Sequence, residues 1–331
     1  FVIPLLVFGS VGIVSMDRPG KTLAKIHEGA ESLARTREAY ADLRPALHGE
    51  TIPGRAWDRY RAAIKAMRTV PRFLRLAEES IEASTTRERE ARDQHLKSAA
   101  PALKWLAERA RCEDATSRVL LRNGLAARTV KTVDVMCLSH LSVGQAKALL
   151  EQGDSLRAVR HLLDAQQLGR DLMDSPVAYE VCAGNALLVP ESMDRFLVPD
   201  GLESLDPPAV ELWLQGLDQL LADLPRGDRA IPGSVEMFAW ETIATRGEEK
   251  QRDWAVHSWF RGRKRPSGFP WMSDHALYLS EQTNALASLT GSPPSTTAVP
   301  SLDGFDGMRD SRANALDRLA TLRTALTSGR R

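Results

Sequence analysis

The clearest helical pattern in the chain lies in residues 135–173, where apolar side chains recur every three or four positions. The pattern stops at Gly153 and then resumes. Gly153 can adopt the left-handed backbone that ends a helix, and Asp154 or Ser155 can cap the free amides of the next helix. Because so short a link makes two helices antiparallel neighbours, the sequence predicts a helical hairpin. The positions expected to be buried in it include Leu149, Leu162 and Ala165.

Similar spacing predicts helices along most of the remaining chain, and no run of alternating β-branched residues indicates a sheet. The segment 84–95 is so highly charged that we expect it to be solvated and outside the helices. The fold class is therefore all-α, with successive antiparallel hairpins stacked as an α-solenoid-like array or an irregular bundle. Helices are expected over residues 21–48, 55–83, 99–110, 114–152, 209–224, 234–260, 271–290 and 309–327.

Residues 1–16 carry no charge, and as a helix they would extend about 24 Å, slightly less than a bilayer core. The first residue is Phe, so we expect the chain to begin inside a longer apolar segment. This segment is interpreted as a membrane anchor or a signal segment, with a buried core helix as the alternative. The helical domain is then expected outside the cytoplasm, in a bacterial envelope.

Three prolines between Val198 and Pro208 indicate a boundary between two helical subdomains. The predicted organisation is residues 1–16 as the anchor, residues 17–200 as a subdomain around the hairpin, and residues 201–331 as a C-terminal subdomain.

Charge is nearly balanced, with 44 basic and 43 acidic residues, so no global field attracts nucleic acid, and no nucleic-acid partner is expected. Cys112, Cys137 and Cys182 lack a metal-binding spacing and lie in apolar helical settings. They are interpreted as buried thiols. If the domain is exported, the alternative is that two of them form one disulfide.

No motif for catalysis or cofactor binding occurs in the sequence. None of the seven histidines has a recognised metal-ligand spacing, and there is no G-x-S-x-G, no P-loop and no G-x-G-x-x-G. We therefore predict no catalytic residue, no metal and no cofactor, although catalysis assembled from distant residues is still open.

The most unusual local feature is a basic loop at residues 261–270, with aromatic residues on both sides. Basic and aromatic side chains together suit an anionic surface such as lipid head groups. The alternative is a solvated loop whose tryptophans belong to the core. The predicted contact residues are Arg261, Arg263, Lys264, Arg265, Trp259 and Trp271.

Two resemblances follow from these patterns. The hairpin, from Ala146 through Gly153-Asp154 to Ala165, resembles a tetratricopeptide repeat, although no second copy occurs at a period of 34 residues. An ordinary helical hairpin is the alternative. The whole chain resembles a loose group of uncharacterised bacterial proteins with a membrane anchor and a helical exterior domain. That resemblance rests on the apolar start, the Ala56–Tyr60 segment, the hairpin and the closing helix at 312–326. It implies no catalytic residue.

The sequence thus favours a non-enzymatic, membrane-tethered interaction or scaffold protein of the cell envelope, which would hold a protein or peptide in a helical groove. The alternative is an envelope hydrolase or lipid-acting enzyme with a site between the C-terminal helices, near Trp254 to Trp271.

Overall fold

The part of the chain described by the computed structural model is mostly helical. It comprises residues 24, 27–70, 85–117, 119, 121–126, 132–190, 193, 202, 204–225, 227, 229–245 and 306–328. The helices are α1 (27–39), α2 (Ala56–Met67), α3 (Thr86–Arg109), α4 (Thr132–Glu151), α5 (Ser155–Met173), α6 (Ala178–Leu188), α7 (Pro207–Ala222), α8 (Ala230–Thr245) and α9 (Asp306–Ser328). A 3₁₀ helix covers Leu121–Ala126, and two short strands are β1 (Ile52–Arg55) and β2 (Cys112–Asp114).

The predicted hairpin is confirmed as α4 and α5. Gly153 has a φ of 79°, and its amide donates to the carbonyl of Leu150 at 2.9 Å, which ends α4. Asp154 then caps α5, because its side chain accepts a hydrogen bond from the amide of Arg157 at 3.2 Å. Leu149, Leu162 and Ala165 are all buried, as the apolar spacing predicts.

Several element boundaries differ from the prediction. The helix predicted over 21–48 ends at residue 39, because the backbone of residues 42–44 instead bonds to residues 113–115. The expectation of no sheet is wrong at one place: β1 and β2 pair in parallel, and Leu43 forms an antiparallel bridge to Asp114. Residues 114–152 are predicted as one long or two stacked helices, but residues 114–117 are not helical, Leu121–Ala126 form the 3₁₀ helix, and α4 begins at Thr132.

The charged segment 84–95, predicted to be solvated, contains the first turns of α3. Thr85 and Glu88 form a reciprocal capping box, which satisfies two free amides and starts the helix. Arg92 is buried, and both ends of its guanidinium bond to Glu151 of α4, at 3.0 and 2.8 Å. Residues 85–91 are exposed, as predicted for a solvated segment, whereas Arg92 and His95 are buried.

The chain divides into two compact units. One comprises Phe1–Ala39, Val119–Arg128 and Ile231–Leu302, and the other comprises Tyr40–Arg118, Thr129–Ala230 and Asp303–Arg331. In the first unit, Ala30 and Leu33 of α1 pack with Trp240 of α8. An ion pair joins Arg37 to the buried Glu236 at 2.9 Å. The predicted boundary near residue 200 stays a prediction.

In the second unit, α5 is the central helix. Every residue from Leu162 to Met173 is buried. One side of α5 contributes Leu162 and Leu163 to a core shared with α6, α7 and α9, and another side contributes Leu168 and Leu172 to a core shared with α2, α3 and α4. α5 therefore lies between the two apolar cores of this unit. The all-α class is confirmed, whereas the solenoid-like stacking and the anchor stay predictions.

Candidate functional site

The predicted contact residues of the basic loop lie outside the described residues, as does the whole of 246–305. That set comprises Arg261, Arg263, Lys264, Arg265, Trp259 and Trp271. The enzyme site predicted near Trp254 to Trp271 falls in the same range, and so both stay predictions.

The structure instead brings together a set of polar side chains that the sequence pattern did not single out. They lie along α5, and all are buried: Asp164, Gln166, Gln167, Arg170 and Asp171. Burying a charged or amide group costs free energy unless hydrogen bonds replace its contacts with water. Each of these side chains has such partners.

Asp171 is the most completely enclosed carboxylate of the set. The Tyr60 hydroxyl donates to its Oδ2 at 2.7 Å, and Gln167 Nε2 donates to its Oδ1 at 2.8 Å. The guanidinium of Arg44 pairs with the same Oδ2 and also donates to the carbonyl of Ala110 at 3.0 Å. Burial, with Asp171 next to it, raises the pKa of Tyr60 well above its ordinary value, so the phenol stays a hydrogen-bond donor.

Arg170 extends this network toward the surface. Its Nη2 donates to Asp223 Oδ2 at 2.7 Å, and its Nη1 donates to Asp42 Oδ2 at 3.4 Å. Burial raises the pKa of Asp42, while Arg170 opposes that shift. The segment that contains Asp42 and Arg44 is therefore held against α5 by two buried arginines and two buried carboxylates.

A second group of paired side chains surrounds Asp164, which lies seven residues before Asp171 on α5. His48 Nε2 is 2.7 Å from Asp164 Oδ1, and His161 Nδ1 is 4.0 Å from Asp164 Oδ2. Ser142 of α4 donates to the carbonyl of His161 at 2.8 Å. Burial lowers the pKa of His161, and Asp164 opposes that shift. An aspartate that orients an imidazole is a feature of general-base sites, but it is equally a way to satisfy a buried carboxylate.

These contacts attach residues 40–48 to the hairpin. The backbone amide of Leu47 adds a further bond to Gln167 Oε1 at 3.3 Å.

Within the described ranges, no three His, Cys, Asp or Glu side chains come together in a way that could hold a metal ion. Among the described helices, none combines the length and apolar composition that crossing a bilayer requires.

The cysteines differ from one another in burial. Cys112 and Cys137 are buried and Cys182 is half-buried, and all three are free thiols. Burial raises the pKa of both Cys112 and Cys182. The interpretation of buried thiols is confirmed for Cys112 and Cys137.

Three large apolar side chains are exposed at the amino-terminal ends of α4 and α6. Val133 is 56% exposed, Met136 39% and Tyr179 51%. The Tyr179 hydroxyl accepts a hydrogen bond from the amide of Thr132 at 3.1 Å, which places Tyr179 beside Val133. Val133 and Met136 are three residues apart on a helix and so share a face. We refer to Val133, Met136 and Tyr179 as the α4–α6 patch.

No protein-family model, no curated protein and no solved structure matches this chain. A functional assignment therefore rests on its own residues.

Proposed function

We propose that this protein is a non-enzymatic interaction or scaffold protein that binds another protein or a peptide through its helical surface. The observation that carries the proposal is the α4–α6 patch. Burying a fully exposed large apolar side chain contributes about 1.5–3 kcal/mol, and covering each of these half-exposed side chains offers a partner a part of that gain. Tyr and Met are also enriched in the buried centres of protein interfaces.

The buried network supports the same proposal in a second way. Arg44 and Tyr60 both contact Asp171, and Asp164 pairs with His48. These groups fix residues 40–48 on the hairpin, and so they contribute to a rigid frame. A rigid surface loses less conformational entropy when a partner binds.

We further propose that residues 1–16 tether the protein to a membrane, with the helical part outside the cytoplasm. The support is the uncharged apolar sequence of residues 1–16, which lie outside the described residues. Deleting residues 1–16 should move the protein from the membrane fraction to the soluble fraction while leaving its circular dichroism helical. A deletion variant that stays with the membrane fraction would contradict the tether.

Site-specific photo-crosslinking tests the interaction proposal. A photoreactive residue replaces Met136 in the full chain, and the matched control carries it at Arg160, an exposed position on α5. We expect an adduct of one defined mass from Met136 in native membranes and none from Arg160. The added substitution Val133→Glu should abolish that adduct without changing the helical signal. Equal labelling at both positions, or an adduct that survives Val133→Glu, would overturn the proposal.

A further inference from the structure

Residues 42–44 form part of the short sheet of the second unit, beside β2. Asp114 of β2 pairs with β1 and also forms an antiparallel bridge to Leu43, so β2 lies between β1 and residues 42–44. The amide of Arg44 and the carbonyl of Asp42 make the hydrogen bonds to β2, each at 2.9 Å. The sheet therefore has two outer edges, one at β1 and one at residues 42–44.

The edge at Leu43 is open. Leu43 turns its backbone N–H and C=O away from β2, because its two neighbours in the chain make the bonds to that strand. Within the described residues, neither of these Leu43 groups has a hydrogen-bond partner. The Leu43 side chain is 69% exposed, and Ala41 and Pro45 are exposed as well. The edge therefore offers a donor, an acceptor and an apolar side chain to one further strand.

We propose that this edge pairs with the same edge of a second copy of the chain, as antiparallel strands about a two-fold axis at Leu43. Each Leu43 N–H then donates to the Leu43 carbonyl of the other copy, and each Ala41 N–H donates to the Pro45 carbonyl of the other copy. The two Leu43 side chains lie next to each other across the strands, so each covers the other. Pro45 has no N–H, and so the pairing ends there in both copies.

Two features favour a second copy over an unrelated strand. The edge is self-complementary, because the two-fold axis brings each free donor opposite a carbonyl and each Leu43 opposite an identical apolar side chain. The other outer edge contains Pro53 of β1, which has no N–H to donate. Each molecule therefore has one open edge in this sheet, and pairing gives a closed dimer.

The size of the contact sets the strength of the dimer. Three residues from each copy make a smaller interface than the roughly 1,000 Å² that a stable complex buries. The dimer should therefore be weak and reversible, and its population should rise with protein concentration. The contact uses none of the residues of the α4–α6 patch.

Chemical cross-linking of the full chain tests this pairing. In an antiparallel hydrogen-bonded pair, Leu43 lies about 5.5 Å from Leu43 of the other copy, Cα to Cα. The matched control is Ala41, which is also exposed but lies four residues from its own copy along the strand, or about 13 Å. A short bifunctional thiol reagent should join Leu43→Cys chains into dimers, and it should join Ala41→Cys chains no more than wild type. The wild type, which keeps the half-buried Cys182, sets the background.

A charge at the two-fold axis provides a second test. Mixed Ala41→Cys and Pro45→Cys chains should cross-link, because these two positions face each other in the dimer. Adding Leu43→Lys to both chains places like charges side by side and should lower the yield by about fivefold or more. Adding the neutral Leu43→Met should leave the yield unchanged. Circular dichroism should be the same for both variants, because position 43 is exposed.

Three results would overturn the proposal. Equal yields from Leu43→Cys and Ala41→Cys would indicate random collisions. Failure of the mixed Ala41→Cys and Pro45→Cys chains to cross-link would exclude this register. Equal yields from the Leu43→Lys and Leu43→Met variants would show that Leu43 does not face its copy.

Discussion

At the scale of single residues, buried polar side chains join parts of the chain that are distant in sequence. Asp171 bonds to Tyr60 and Arg44, which lie 111 and 127 residues away. Helical spacing predicted the burial of Leu149 and Leu162 because that signal is local. The spacing could not show that Gln167 and Asp171 are equally buried, since a polar residue on a helix is ordinarily solvated.

Asp171→Asn tests how much this network contributes to the free energy of unfolding. The substitution removes the charge that compensates Arg44, which then lies buried without a counter-ion. Breaking a buried pair in this way costs about 3–5 kcal/mol. Urea unfolding followed by circular dichroism measures the loss. The exposed carboxylate variant Asp218→Asn provides the control and should change the free energy of unfolding very little. Equal losses of unfolding free energy for the two variants would mean that the charge of Asp171 does not stabilise the fold.

At the scale of elements, the apolar pattern predicted the helices with strong one-sided spacing and missed those that depend on other signals. The hairpin, α7 and α9 are confirmed near their predicted bounds. The end of α1 at residue 39 depends on hydrogen bonds to residues 113–115, and no local pattern reveals such bonds. The start of α3 was readable in principle, because Thr85 and Glu88 have the capping-box spacing.

Leu162→Ala tests the packing of the hairpin against α7 and α9. Leu162 is fully buried in the core that α5 shares with α7 and α9, so truncation leaves a cavity. The expected cost is about 2–5 kcal/mol in the free energy of unfolding. Leu150→Ala, at a half-buried position of the same hairpin, should cost clearly less. A loss below about 0.5 kcal/mol at Leu162 would show that the side chain faces solvent.

The crossing of α5 and α6 depends on two glycines. A Cβ added at Gly184 would lie 2.6 Å from the carbonyl oxygen of Gly169 and 2.8 Å from the amide nitrogen of Met173. Both neighbours are backbone atoms, so the helices would have to separate. The apolar spacing carries no signal at a glycine, and so it does not reveal this crossing.

Gly184→Ala should therefore destabilise the protein by about 1–3 kcal/mol, although alanine is the better helix former. Gly153→Asn is the comparison, since the Gly153 position has a φ of 79° and no other atom near its missing Cβ. Asparagine tolerates that backbone, so this variant should lose much less stability. Thermal unfolding of both variants measures the difference. A stabilised Gly184→Ala protein would rule out the tight crossing.

At the scale of the whole molecule, the two compact units are assembled from segments that alternate along the chain. Such interleaving depends on contacts between separate segments of one unit, such as the Tyr60 hydroxyl to Asp171 Oδ2, 2.7 Å apart and 111 residues apart in sequence. No local composition change marks the boundaries after residues 39, 118 and 128, and so a single sequence could not predict these three. The basic loop, the anchor and the boundary near residue 200 stay predictions of the sequence.

Native-state hydrogen exchange along the chain tests the central role of α5 most directly. Because α5 lies between two apolar cores and its polar side chains are paired internally, its amides between residues 162 and 173 should exchange only by global unfolding. Their opening free energy should then equal the unfolding free energy from denaturant titration. The amides of α9, which packs on one side of the unit, should exchange sooner. Exchange of α5 through local openings, at or above the rate of α9, would contradict this description of the fold.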